Sequence, residues 1–461
     1  MMYVDDTISA VATALGEGSI GIIRLSGPRS LEIADRIFHP VSGKKLGKYP
    51  HNTLVYGHII DMDAVTVDEA LVVFMRAPRS YTAENVVEIQ AHGGLQSLKK
   101  ILSLTYEAGA RPAEPGEFTK RAFLNGRIDL AQAEAVMDII RARSEVSLKL
   151  ALRQQQGQLS KEVAFLRRRL LDVIVNLEAV IDYPEEDIEE ITFQNVKNTV
   201  YDVQSDIALL LNNAHTGKIM REGMKTAIIG RPNVGKSSLL NSLLSEERAI
   251  VSEIPGTTRD VIEEQLLIDG IPLVLSDTAG IRDTEDYVEK IGVEKTRKIL
   301  EEAELAIVVL DGSQPLQIED REILLAVKQK SYVIIVNKCD LPQQIDFAAL
   351  NAEYGEENIM RLSAKTSVGV NDFIAWLKKY VYGEGGQLEE GIYVQNARHE
   401  FLLKKAYGCL ADALSAANSH VPYDCIIIDL RDAVEAIGFI TGDTVSDEII
   451  NEIFARFCVG K

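Results

Sequence analysis

The sequence predicts a multidomain chain: an α+β N-terminal domain, then an all-α helical domain interrupted by an inserted α/β domain. Three observations carry this. Residues 8–116 alternate short apolar runs with turn residues, and residues 118–180 switch to long helical periodicity. Further on, a glycine-rich loop beginning at Gly230 lies between an apolar strand-like run and a helical pattern.

In the first domain, strands are expected at 20–25, 53–60, 70–75 and 86–91, and helices at 30–38 and 95–108. The helical stretch 118–180 is rich in Ala, Leu, Gln, Glu and Arg. It has no proline between Pro115 and Pro184, and turn-like breaks fall at Asn125-Gly126 and Gly157. A second helical stretch covers 193–211, and 217–223 reads as a linker into the α/β insert. Gly383-Glu384-Gly385-Gly386 marks the exit, after which helices resume at 397–417 and 425–457. The expected domains are 1–118, 119–216, 217–383 and 384–461, the second and fourth being halves of one helical domain. Such insertion suits an exposed loop whose ends lie close together. The acidic run Glu185-Glu186-Asp187 with Glu189-Glu190 reads as a solvated bend, and Arg167-Arg168-Arg169 as a solvated helix face.

The 461 residues carry 49 Lys+Arg against 69 Asp+Glu, a formal charge of −20. This argues against indiscriminate binding to nucleic acid or anionic membrane, so any RNA contact must be local and shape-dependent. The four cysteines, Cys339, Cys409, Cys425 and Cys458, lack paired ligand spacing, which argues against a zinc site or disulfide framework and fits a reducing cytoplasm. Asp5 and Asp6 precede the first apolar stretch, the wrong charge for a signal peptide, and no apolar run approaches membrane-spanning length. A cytoplasmic protein with no membrane partner is expected.

Gly230-Arg231-Pro232-Asn233-Val234-Gly235-Lys236-Ser237 fits the phosphate-binding loop, between an expected strand at 226–229 and helix turns at 238–244. Backbone N–H groups from Asn233 to Ser238 then wrap the phosphates of a nucleotide, Lys236 meets the β/γ-phosphates and Ser237 binds Mg²⁺. A strand at 271–276 ends in Asp277-Thr278-Ala279-Gly280, where a carboxylate holds the Mg²⁺ shell and a glycine amide senses the γ-phosphate. A third strand at 332–336 runs into Asn337-Lys338-Cys339-Asp340. An aspartate there accepts hydrogen bonds from N1–H and the exocyclic amine of guanine, a pair of donors adenine lacks, so the nucleotide is GTP. Ser363-Ala364-Lys365 occupies the place of the loop that backs the base.

Between the phosphate loop and Asp277, Ser252-Glu253-Ile254-Pro255 leads into Gly256-Thr257-Thr258-Arg259-Asp260, the position of switch I, with Thr258 assigned to Mg²⁺. After Gly280 stands Ile281, where Ras-like GTPases carry the glutamine that orients the attacking water. Arg282, Asp283, Glu285, Asp286 and Glu289 are candidates to replace it, and sequence chemistry alone does not choose among them.

The whole arrangement resembles the MnmE (TrmE) family of tRNA modification GTPases. The most specific segments outside the GTPase motifs are Gly116-Glu117-Phe118-Thr119-Lys120-Arg121-Ala122-Phe123-Leu124-Asn125-Gly126, then Asp129-Leu130-Ala131-Gln132-Ala133-Glu134-Ala135 and the ending Phe457-Cys458-Val459-Gly460-Lys461. The family more often has isoleucine at Val459. The resemblance implies that the chain works with the flavoprotein MnmG (GidA) in a heterotetramer. It implies installation of a carboxymethylaminomethyl-type group at C5 of the wobble uridine of certain tRNAs. The one-carbon unit would come from tetrahydrofolate in its 5,10-methylene or 5-formyl form, bound by an N-terminal domain that also makes a homodimer. Carried onto this sequence, the folate residues are Arg24, Glu88, Arg127 and Lys461, with Glu84 a rival for Glu88; Arg127 stands where some members have lysine. The family also implies a K⁺ ion held by Asn233, Ser252, Ile254 and Thr257, and assigns orientation of the attacking water to Glu289. Cys458 is by the same resemblance a functional thiol near the folate; a glycine and a terminal lysine fit a prenylation signal poorly. The competing reading is an Era-type ribosome-assembly or regulatory GTPase. Such proteins append an RNA-binding domain after the GTPase fold, and residues 397–461 show helices with no GXXG loop in an αβ context.

Overall fold

The structure is a computed structural model that describes residues 6–182, 193–245, 249–252, 264–275, 300–443 and 445–461. The chain forms two compact units: Met1–Met137 with Gln154–Asp172 and Arg431–Lys461, and Asp138–Arg153 with Val173–Leu430.

The first unit is built on a seven-stranded sheet. In chain order its elements are β1 (Ile8–Val11), β2 (Gly18–Ser26), α1 (Ser30–Ile37), β3 (Phe38–Pro40), β4 (Leu54–Ile60), β5 (Thr66–Met75), β6 (Val86–Gly93), α2 (Leu95–Glu107) and β7 (Arg111–Pro112). The strand order is β3-β4-β5-β6-β2-β1-β7, antiparallel except for the β1–β7 pair. Period-two alternation decides which side is covered. Val87, Ile89 and Ala91 of β6 point into a core completed by Ile33, Ala34 and Ile37 of α1 and Leu98, Ile101 and Leu104 of α2. The opposite face carries cross-strand rows Tyr56–Leu71–Gln90–Ile22 and Leu54–Val73–Glu88–Arg24. Leu54, Tyr56, Leu71 and Ile20 are exposed on it.

In the same unit α3 (Glu117–Leu124) begins at Gly116, whose φ is +69°. Ala122 of α3 joins Ile128, Leu130, Ala133, Met137, Ile450, Phe454 and Phe457 in a second core. Arg121, almost fully buried, pairs with Asp6 at 2.6 Å, Glu117 at 3.0 Å and Glu84 at 3.2 Å. Arg111 shares two of these carboxylates, Asp6 at 2.7 Å and Glu117 at 2.6 Å, so the withdrawn charges offset one another.

Helices α4 (Leu130–Arg141), α5 (Glu145–Gln155) and α6 (Gln158–Asp182) follow, then α7 (Phe193–Asn212) and α8 (Ala214–Glu222). The second unit's sheet comprises β8 (Met224–Ile229), β9 (Ala249–Ser252), β10 (Glu264–Ile268), β11 (Ile271–Leu275), β12 (Leu305–Asp311), β13 (Ser331–Asn337) and β14 (Ile359–Arg361). Its order is β14-β13-β12-β8-β11-β10-β9, parallel from β14 to β11 and antiparallel beyond. The helices beside it are α9 (Lys236–Ser245), α10 (Ile318–Val327), α11 (Phe347–Tyr354) and α12 (Val370–Tyr382).

Strand β12 is apolar at every position before Asp311 because it is covered on both faces. Leu305, Ile307 and Val309 share a core with Leu239, Leu243, Phe373 and Leu377, whereas Ala306, Val308 and Leu310 share one with Leu324, Val327 and Leu350. Three further helices, α13 (Ala397–Asn418), α14 (Tyr423–Thr441) and α15 (Asp447–Ala455), complete the chain. Helix α13 packs along α7, its Leu403, Ala406, Leu410 and Ala413 buried like Val196, Val200, Val203 and Ile207 of α7.

One expectation is corrected: of residues 217–223, read as a linker, 217–222 lie in helix α8 and Gly223 is its C-cap. Gly217 is there for closeness rather than looseness, since a Cβ on it would lie 2.5 Å from the Val394 carbonyl oxygen. Among the described residues, no helix is long and apolar enough to cross a membrane.

Candidate functional site

The phosphate loop leaves the central strand β8 at its C-terminal end and enters α9, the crevice position where open α/β sheets bind ligands. Its backbone needs glycine. Gly235 has φ +102°, and a Cβ there would lie 2.2 Å from Asn337 Nδ2. Asn233, at φ +63°, takes the left-handed conformation that asparagine tolerates, and its side chain is exposed. Val234 turns inward and is buried. Lys236 Nζ donates to the carbonyl oxygens of Gly230 and Arg231, each at 2.8 Å, which holds the ammonium inside the loop; burial lowers its pKa. Ser237 and Ser238 open the helix and are exposed.

The base loops are tied to the phosphate loop. Asn337, at the end of β13 and 2% exposed, donates from Nδ2 to the Val234 carbonyl at 2.9 Å and accepts from the Ala364 N–H at 3.0 Å. Lys338 (φ +61°) donates from Nζ to the Asn233 carbonyl at 3.0 Å and to Asp311 Oδ2 at 2.6 Å. Burial alone would raise the Asp311 carboxyl, but hydrogen bonds from Lys338 and Ser313 outweigh it and hold the carboxyl below its ordinary value. Asp340 accepts from Ser363 Oγ at 2.6 Å, which lowers its pKa and keeps it ionised. Ser363 also pairs with Val368 across a bridge, and Lys365 stands in the same turn.

The structure thus brings Asn233, Val234, Gly235, Lys236, Asn337, Lys338, Asp340, Ser363 and Ala364 into one crevice. Ser252 ends β9 opposite Gln265. Glu253, Ile254, Pro255, Gly256, Thr257, Thr258, Asp277, Thr278, Ala279, Gly280 and Glu289 lie outside the described residues. Sequence reasoning missed Asp311; its signal was an aspartate closing the apolar run 305–310, the pattern that singled out Asp277.

A second polar cluster lies in the first unit. Arg24 on β2 donates from Nε to Glu88 Oε1 on the adjacent strand β6 at 2.8 Å, and from Nη1 to the Gly460 carbonyl at 3.3 Å. Its guanidinium lies 5.5 Å from the Tyr81 ring centroid and 5.6 Å from that of Phe118. Arg127 lies 5.0 Å from the Tyr81 centroid and donates to the Tyr81 carbonyl at 2.9 Å. Burial, and next the Arg24 charge, lower the pKa of Lys461, against the opposing pull of Glu88 and Cys458. The tail is seated by N–H donation from Gly116 to the Cys458 carbonyl at 3.3 Å and from Phe118 to the Lys461 main-chain oxygen at 3.2 Å. Cys458 itself is exposed. Between the rival carboxylates, Glu84 is engaged by Arg121 and by Ser26 Oγ at 2.7 Å, while Glu88 faces Arg24 and Lys461. All four sequence-assigned residues therefore converge, and Tyr81, which joins two of them, was not foreseen.

Two family models match: the MnmE helical domain over residues 130–458 and the GTP-binding protein TrmE N-terminus over 7–127. The tRNA modification GTPase MnmE of Clostridioides difficile (strain 630) is 48% identical over 460 residues, covering 100% of both chains. That of Alkaliphilus oremlandii (strain OhILAs) is 48% identical over 461 residues with the same coverage. That of Geobacillus thermodenitrificans (strain NG80-2) is 48% identical over 460 residues, 99% of each. Among solved structures, the G domain of the T. maritima FeoB iron transporter aligns at 24% identity over 34% of this chain and 98% of its own, with a TM-score of 0.24 that adds nothing to the assignment. With both family models matched in order and relatives aligned from end to end, the chain belongs to the MnmE (TrmE) family of tRNA modification GTPases.

Proposed function

We propose that the chain is a potassium-dependent GTPase that, with a flavoprotein partner of the MnmG type, adds a carboxymethylaminomethyl-type group to C5 of the wobble uridine of certain tRNAs. The one-carbon unit comes from 5,10-methylene- or 5-formyltetrahydrofolate, and the protein acts in the cytoplasm as a homodimer within a heterotetramer. The observation that carries this reading is the convergence of Arg24, Glu88, Arg127 and Lys461, where three cations meet one carboxylate. That surplus of positive charge suits the carboxylates of a folate tail, and Glu88 suits the N–H groups of a pterin. An Era-type regulator has no use for such a cluster. Among the described residues, moreover, no strand follows Arg361, whereas the competing reading expects an αβ module after the GTPase fold. The uncovered sheet face with Leu54, Tyr56, Leu71 and Ile20 favours the homodimer.

In the GTP site, Asp340 accepts from the guanine N1–H and amine while Asn337 and Ser363 hold its loop in place. Lys236 turns from its carbonyl partners to the β/γ-phosphates, and the backbone N–H groups of residues 233–238 orient them. Ser237 with Thr258 would hold Mg²⁺ through oxygen, and Asn233 with Ser252, Ile254 and Thr257 would hold K⁺. When bound, these ions neutralise charge that develops on the phosphoryl oxygens. Glu289 orients the attacking water in the absence of a glutamine at Ile281.

Analysis of tRNA nucleosides from a strain lacking the gene tests the reading: wobble uridines should lose the C5 substituent, and an unchanged nucleoside profile overturns it. GTP turnover should also be at least tenfold faster in KCl than in NaCl at matched ionic strength; equal rates remove K⁺ from the mechanism.

A further inference from the structure

We infer that Tyr81 is a positioning residue of the Arg24–Glu88–Lys461 cluster, holding Arg24 and Arg127 against one uncharged ring, so that both are placed to receive a carboxylate-bearing ligand. The inference rests on the folate reading of that cluster and adds to it a residue and a physical device.

The first unit holds arginines in two ways. Arg111 and Arg121 are gripped by the carboxylates of Asp6, Glu84 and Glu117, and a cation so neutralised has little attraction left for a ligand. Arg127 has no carboxylate partner among the described residues; its contacts are the Tyr81 carbonyl at 2.9 Å and the Tyr81 ring at 5.0 Å. Arg24 shares that ring at 5.5 Å, and among the described residues its one acid partner is Glu88. An aromatic face attracts a cation through its quadrupole and carries no net charge. It therefore fixes a guanidinium in place without drawing on its charge, so Arg127 keeps its charge whole for an incoming anion while Arg24 shares its own with Glu88.

Tyr81 is itself held firmly enough for this role. Its hydroxyl hydrogen-bonds Thr119 Oγ1 on α3 at 2.8 Å. The next residue, Thr82, hydrogen-bonds Ser26 Oγ at 2.6 Å, and its carbonyl accepts from Asn125 Nδ2 at 2.7 Å. Two arginines from distant parts of the sequence are thus presented by one ring that cannot swing away, which spares the ligand the ordering cost of long side chains.

The test is calorimetric titration of the full-length protein with two probes, 5-formyltetrahydrofolate and tri-γ-glutamate, at low and high salt. Tyr81→Phe keeps the ring and should bind within about twofold of the parent. Tyr81→Leu, and Tyr81→Met as a second ring-free variant should Leu fail to fold, should bind at least tenfold more weakly, with a shallower dependence of log affinity on log salt. Unchanged affinity and salt slope in the ring-free variants overturn the inference, as does an equal loss in Tyr81→Phe. If the parent binds tri-γ-glutamate but not the folate, the folate reading falls, while the variants still decide the role of Tyr81 on the anion. If it binds neither, both fall.

Discussion

Asp340→Asn is expected to lower GTP affinity on the order of 10²–10⁴-fold, since two hydrogen bonds to a charged acceptor at roughly 1.5–3 kcal/mol each are replaced by an amide that offers a donor to a donor. The same change should favour xanthosine triphosphate, whose base presents a carbonyl where guanine presents its amine. The loop itself should survive, because the asparagine side-chain oxygen can still accept from Ser363 Oγ, now 2.6 Å from Asp340 Oδ1. Equilibrium titration with fluorescent analogues of the two nucleotides checks both halves. Unaltered GTP affinity would show that guanine is read by some other group.

Gly460→Ala should unseat the end of the chain. Gly460 has φ +94°, and a Cβ there would lie 2.2 Å from the Val11 carbonyl oxygen and 3.0 Å from Ala12 Cα, main-chain atoms at the end of β1 that cannot step aside. The conformation alone costs a non-glycine residue about 1–3 kcal/mol, before the clash is counted. The tail then gives up its seat against Gly116 and Phe118, and Arg24 loses the Gly460 carbonyl. Affinity for 5-formyltetrahydrofolate should fall at least tenfold, while affinity for GTP, set by residues of the other unit, stays unchanged. Full folate affinity in this variant would separate Lys461 from the ligand site.

Strands with strong alternation or full burial were readable in advance because their side chains state their own surroundings: β2, β4, β5 and β6 all fall within a few residues of expectation. The short strands were not. β1 has four residues, β3 three and β7 two, and β7 exists only because Ile8 and Ser9 lie beside Arg111 and Pro112, a pairing across about a hundred positions that no local window contains. Gly217 misled for a related reason, since its neighbour Val394 is remote in sequence and a lone glycine reads as a break. At the candidate sites, the motif residues that the structure brings together stand out in the sequence because phosphate and guanine chemistry fixes both type and spacing. Tyr81 and Asp311 do not, because each acts through a second side chain whose partner only the fold reveals.

The ammonium of Lys338 bears on kinetics as well as affinity. It joins the Asn233 peptide to the buried Asp311 carboxylate, so the phosphate grip and the base grip are fastened to each other through protein. Nucleotide binding then has no floppy halves to assemble, and less conformational freedom is lost on arrival. Departure is constrained in the same way: one grip cannot loosen alone without breaking the ion pair between Lys338 and the buried Asp311 carboxylate. On the proposed reading, the exchange rate of the nucleotide should depend in part on Lys338 and Asp311, whose pairing is internal to the protein.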